Sequence, residues 1–149
     1  MTTIVFDLDG TLVDSAPDLH AAAAKLLHEE GRDPLPLATI RGFIGNGVPK
    51  LVERVAEASV LGREPARLDA LTARFMIHYM AAPARLTRAF PHVLPVLEVL
   101  GQSGHRLGIC TNKPEAPTRA ILDALGLSHY IQVVVGGDTL PVRKPDPAP

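Results

Sequence analysis

Between residues 92 and 137 the apolar residues alternate between two periods, and the order they spell leaves few folds open. "HVLPVLEVLGQSG" reads as a helix with Val93, Val96, Leu97 and Leu100 facing inward, and "RLGICT" reads as a strand. "EAPTRAILDALG" is again helical and "YIQVVVGG" again a strand. Helix, strand, helix, strand is the order of a parallel sheet with right-handed crossovers. The first strand of such a sheet lies far away, at Ile4 to Phe6. That short continuous apolar run has the character of a strand covered on both faces. Residues from about 16 to 85 are therefore an insertion placed after strand one.

Every strong signal in the insertion is helical. Ser15 reads as an N-cap, with Pro17 in the first turn and Asp18 placed to favour the helix dipole. The helix runs through "DLHAAAAKLLHEE" and stops near Gly31. "LATIRGF" predicts a short helix before the loop "IGNG". "PKLVERVAEA" gathers Leu51, Val52, Val55 and Ala56 on one face, and "PARLDALTARFMIHYM" gathers Leu68, Leu71, Phe75 and Met76. The joints, "SAP" and "AAPARLTRAF", carry residues before proline that favour extended backbone. The expected organisation is an α/β core of residues 1–15 and 86–149, with a helical cap of residues 16–85.

In a parallel α/β sheet, ligands bind beyond the carboxyl ends of the strands. Strand one ends at Asp7, with Asp9 and Thr11 just beyond. Strand two ends at Thr111, followed by Asn112 and Lys113. Strand three ends at Gly136, and its loop carries Asp138, Arg143, Lys144 and Asp146. Two carboxylates two residues apart repel each other, so a cation is expected among them. The set suits phosphoryl transfer. Asp7 is a candidate nucleophile and Asp9 a candidate acid and base. Mg²⁺ relieves the repulsion, because it prefers oxygen ligands and substrate phosphates. Thr111 and Asn112 offer donors to phosphate oxygens, and Lys144 offers a mobile point charge.

"DLDGTLVDS", "ICTNK" and "VRKPDPAP" resemble the first three motifs of the haloacid dehalogenase-like hydrolases, in order and over essentially the whole chain. The resemblance implies a three-layer, Rossmann-like parallel-sheet core with an inserted helical cap. It implies Asp7 as nucleophile, Asp9 as acid/base, Thr111 as phosphate ligand and Lys144 as the residue that orders the charges. Mg²⁺ would then sit against Asp7 and the backbone carbonyl of Asp9. "GFIGNGVPKLVERV", "AFPHVLPVLEVL" and "CTNKPEAPTRAILDALGL" are similar to phosphoglycolate phosphatases, although His92 stands where that group often has glycine. By the same resemblance the cap loops select substrate, which makes Arg41, Gly45, Asn46 and Gly47 candidate specificity residues. The family's fourth motif, an acidic cluster that completes the metal site, would follow another strand beyond "KPDPAP". Neither Asp138 nor Asp146 is an obvious substitute. A longer protein is therefore expected, with the last core strands lying beyond Pro149.

The implied activity is Mg²⁺-dependent hydrolysis of a small phosphorylated metabolite, 2-phosphoglycolate first. Two alternatives stand beside it. One is another capped phosphohydrolase or mutase, acting on a sugar phosphate or pyrophosphate. The other is a non-catalytic fragment or binding module. Lys and Arg number 15 against 16 Asp and Glu, intermixed, which recommends neither nucleic acid nor an anionic membrane as partner. A single cysteine, Cys110, excludes an internal disulfide and reads as core, and it suggests a cytoplasmic address. Asp14 and Ser15 read as linker and cap residues, "GNG" equally as turn or substrate contact, and Lys113 as a phosphate aid or a bystander.

Overall fold

The computed structural model describes residues 2–149. Chain order begins with β1 (Thr3–Phe6) and β2 (Val13–Asp14), then four helices, α1 (Ala16–Glu29), α2 (Leu37–Phe43), α3 (Val48–Ala58) and α4 (Pro65–Met80). It continues through β3 (Arg88–Ala89), α5 (Val93–Gln102), β4 (Arg106–Cys110), α6 (Glu115–Ala124), a 3₁₀ turn at Ser128–Tyr130 and β5 (Val133–Val135). The sheet runs β1-β4-β5, parallel throughout, with Thr3 opposite Arg106 and Gly108 opposite Val133. β1 thus pairs with a strand about a hundred residues further on, as the alternating pattern requires. Among the described residues no helix is long and apolar enough to cross a membrane.

Two apolar clusters form. One joins Leu8, Leu12 and Val13 to Leu97, Leu107, Ile109, Ile121, Leu122 and Val134. The other lies within the four-helix segment and includes Leu26, Ile40, Val52, Val55, Leu71, Phe75 and Tyr79. The expected inward faces of α3 and α4 are buried there, Leu68 and Met76 only partly. Tyr79, one turn beyond Phe75, belongs to the same face and is fully buried.

Three readings need correction. First, β1 is covered on one face: Val5 is 59 % exposed and Val133, on the same side, 52 %. Crossovers of one hand that step in one direction along a sheet place both α5 and α6 on the same side. The described residues therefore supply a single helical layer to this sheet. Secondly, Val96 is exposed; the inward stripe of α5 is Val93, Leu97 and Leu100, and Val96 falls on its edge. Thirdly, the last strand is shorter than "YIQVVVGG", because Tyr130 closes a 3₁₀ turn before it. His92, in the place where glycine was anticipated, has φ +69°, a left-handed backbone that glycine adopts without strain. Cys110 ends β4 half-buried, at the rim of the core.

The pattern did not foretell the ribbon that joins the two units. β2 and β3 pair antiparallel, Val13 with Ala89 and Asp14 with Arg88, so both connections run side by side. The buried Asp18 carboxylate clamps them from the first turn of α1. It accepts from the Leu86 amide at 2.9 and 3.0 Å, and from the Thr87 amide and hydroxyl at 2.7 Å each.

Candidate active site

β1 delivers Asp7 to the carboxyl end of the sheet, and the turn after it folds back through Val13 N–H to Leu8 O at 3.1 Å. That turn sets Asp7 and Asp9 on one wall of a cleft open to solvent. Thr111, Asn112 and Lys113 form the facing wall, while Leu19, Ile44, Gly45, Gly47, Val48 and Leu51 close it from the helical side. The polar groups thus lie on the sheet edge and the apolar ones on the inserted unit.

Each carboxylate has its own lysine. Lys144 Nζ lies 3.2 Å from Asp7 Oδ1 and donates to the Cys110 carbonyl at 2.8 Å, which anchors the third loop to the end of β4. This pair is partly exposed, at 34 % and 40 %. Lys113 Nζ lies 3.1 Å from Asp9 Oδ2, and this second pair is nearly sealed, at 2 % and 11 %. Burial opposes the charge of Lys113, but Asp9 foremost, with Tyr79, outweighs it and holds the ammonium pKa above the ordinary lysine value. The remaining oxygen of Asp9 accepts from the Ser15 hydroxyl at 2.5 Å. Ser15 therefore makes no side-chain cap on α1, contrary to expectation; its hydroxyl is committed to Asp9.

Thr111 is buried, and its hydroxyl accepts from the Lys113 amide at 3.2 Å. The Asn112 amide donates to Gly45 O at 3.1 Å and Lys144 O at 3.2 Å, so its donors tie the loop before α3 to the loop that bears Lys144. The loops approach this closely because position 137 has no side chain. A Cβ there would stand 2.2 Å from the Asn112 carbonyl oxygen. Gly47 has φ +85°, and a Cβ on it would meet the same oxygen at 3.0 Å.

The proposed specificity residues divide. Gly45 and Gly47 line the cleft, whereas Asn46 is not among its lining residues and accepts from Arg54 at 3.1 Å. Arg41 lines a neighbouring cavity with Gly45 and Ser15, and there it grips Asp14 through two bonds of 2.7 and 3.1 Å. The hydrogen bond from Arg41 holds the Asp14 carboxyl below the usual carboxylate range, against the opposing effect of burial. Asp14 is thus more than linker. Asp138 accepts from the Glu115 amide at 2.7 Å and caps α6, and Asp146 accepts from the Ala148 amide at 2.9 Å.

Among the described residues no group of three or more His, Cys, Asp or Glu is arranged to hold a metal. The acidic residues at the cleft are Asp7 and Asp9, both oxygen donors, with the Asp9 carboxylate engaged by Lys113 and Ser15. This suits Mg²⁺, which takes one or two carboxylates and fills its octahedron with water and substrate phosphate.

The sequence profile of the family described as haloacid dehalogenase-like hydrolase matches residues 4–149. A phosphoglycolate phosphatase of Cereibacter sphaeroides is 52 % identical over 149 residues, covering all of this chain and 68 % of the relative. One from Rhodospirillum rubrum is 47 % identical, over 98 % of this chain and 62 % of the relative. A crystal structure described as a predicted phosphoglycolate phosphatase from Haemophilus somnus superposes with a TM-score of 0.92 at 31 % identity. It is matched over 100 % of this chain and 68 % of its own.

Proposed function

This chain belongs to the haloacid dehalogenase-like hydrolases and is a phosphoric monoester hydrolase, and we propose that its substrate is 2-phosphoglycolate. The observation that carries the reading is the convergence of Asp7, Asp9, Thr111 and Lys144 at one sheet edge, with Asp7 facing Lys144 at 3.2 Å. The names of the relatives at 52 % and 47 % identity support the choice of substrate.

In this reading Asp7 attacks phosphorus and becomes the aspartyl phosphate, while the P–O bond to the alcohol breaks. Asp9 gives its proton to the departing alkoxide, then takes one from the water that cleaves the acyl phosphate. Lys144 holds charge beside Asp7 and the phosphoryl oxygens, and Thr111 donates to one of those oxygens. Asp7 and the Asp9 carbonyl would hold Mg²⁺, which supplies charge neutralisation between carboxylate and phosphate. Residues 16–85 act as a cap over a core of residues 1–15 and 86–149, and the β2–β3 ribbon with the Asp18 clamp is its hinge. A cytoplasmic address accords with a single thiol.

The test is phosphate release from 2-phosphoglycolate and a panel of sugar phosphates and pyrophosphate, with Mg²⁺ and with EDTA, on the longest chain the reading frame encodes. The reading expects 2-phosphoglycolate to give the highest kcat/KM, and EDTA to abolish turnover. Preference for a sugar phosphate, or full activity in EDTA, would refute it.

A further inference from the structure

Lys113 lies two residues past Thr111, and the phosphatase chemistry above does not use it. Its side chain is 98 % buried, a costly place for an ammonium unless partners compensate. The partners come from the two units. Asp9 of the core stands 3.1 Å away, and the ring of Tyr79, from α4 of the inserted helices, lies with its centroid 4.9 Å from Nζ. Tyr79 is itself 1 % exposed, and its ring face meets the cation. The ammonium thus sits between the carboxylate assigned to proton transfer and the cap.

We propose that Lys113 is a positioning residue for Asp9, held in place by Tyr79, so that leaving-group protonation depends on the cap being seated. This deepens the phosphatase reading and rests on it. Lys113 and Ser15 take one oxygen of Asp9 each, at 3.1 and 2.5 Å, which fixes the plane of the carboxyl group. When the cap lifts, Tyr79 leaves, water reaches the ammonium, and Lys113 regains the freedom of a solvated lysine. Asp9 then loses one of its two restraints. The competing role, a direct phosphate ligand, fits the partly exposed Lys144 better than a lysine enclosed by a carboxylate and an aromatic ring.

The two roles separate by leaving group. An aryl phosphate such as 4-nitrophenyl phosphate departs without a proton, whereas an alkyl ester such as 2-phosphoglycolate needs one. Loss of a phosphate ligand slows both; loss of a positioner for Asp9 slows the alkyl ester selectively. We expect Lys113→Met to lower the alkyl-to-aryl ratio of kcat by about 30-fold, short of the roughly 10²- to 10⁴-fold that loss of the general acid itself brings. Tyr79→Leu should lower it by roughly 5-fold and Tyr79→Phe, which keeps the ring, by less than about 2-fold. In an Asp9→Asn background Lys113→Met should change the ratio no further, since residues acting as a unit are not additive. An unchanged ratio in Lys113→Met overturns the proposal. If that variant does not fold, the Tyr79→Leu ratio decides alone, and no change there overturns it. Failure of the phosphatase reading looks different: the unsubstituted protein would hydrolyse neither ester.

Discussion

Asp14 grips the Arg41 guanidinium with both carboxylate oxygens, at 2.7 and 3.1 Å, and so ties the β2–β3 ribbon to α2. The pair is about half exposed on the arginine side, which makes it a weak contributor to global stability. Its leverage is on the cap's position. Arg41→Ala should move Tm by no more than about 2 °C, yet lower kcat/KM for 2-phosphoglycolate roughly 3- to 10-fold through a less populated closed state. Arg41→Lys should not restore it, because a lysine cannot reproduce the two-pronged geometry. A Tm loss without a kinetic one would show the pair to be merely structural.

Asp7→Asn and Asp9→Asn should fail differently. The amide at position 7 is no nucleophile, and turnover of every ester should fall by at least about 1000-fold. The amide at position 9 keeps a polar group beside Lys113 and Ser15 but has no proton to exchange. Alkyl esters should lose about 100-fold, and activated aryl esters much less. Steady-state kinetics on both ester types checks this, with circular dichroism to confirm folding.

The strand ends were legible because apolar runs stop where backbone leaves the sheet, so Asp7, Thr111 and the loop bearing Lys144 could be placed from pattern and topology together. The partners of Asp9 were not. Ser15 has the spacing of a helix cap and Lys113 reads as a phosphate aid or a bystander, and pattern does not show that Tyr79, 34 residues earlier in the chain, covers the second. Nor could pattern locate the β2–β3 ribbon, whose two-residue strands are too short to show alternation. One signal was available in principle: Asp18, Leu86 and Thr87 sit at the two joints, where a connection closed at both ends needs something to hold them.

Asp18→Ala tests that clamp. It removes the acceptor of two backbone amides and a hydroxyl, Thr87 being fully buried. Stranded buried donors cost about 1–3 kcal/mol each, partly recovered by water, so a loss of roughly 2–4 kcal/mol is expected. Urea unfolding measures it. Asp18→Asn, which keeps one acceptor oxygen, should cost about half as much.

Gly47→Ala should impair the site more than the fold. The φ of +85° strains any side chain by about 1–2 kcal/mol, and the new methyl would press on the Asn112 carbonyl at 3.0 Å. The loop joining cap and second motif must then shift, and kcat/KM should drop roughly 10-fold. Gly42→Ala is the control. It sits in α2 with open space around its Cβ position and no positive φ, so it should raise stability by about 0.5–1 kcal/mol without touching kinetics.

Acid should loosen the cap through Glu30. This carboxylate closes the end of α1 and receives Arg67 and Arg74 from α4, so it stitches α1 and α4 together. The hydrogen bond from Arg74, helped by the charge of Arg67 and opposed by burial, holds its pKa below the usual glutamate value. A depressed folded pKa means that the contribution is fully present above the unfolded value, about 4.3, and fades as pH falls through the folded one. Because both arginines are partly exposed, at 42 % and 38 %, solvent screening keeps the gain to about 1 kcal/mol. Glu30→Gln should therefore destabilise by that amount at pH 7, and the difference from the unsubstituted protein should shrink steadily below about pH 4. Urea titrations at several pH values give the curve. A difference that stays constant down to about pH 2 would mean that packing at position 30, and not its charge, joins the helices.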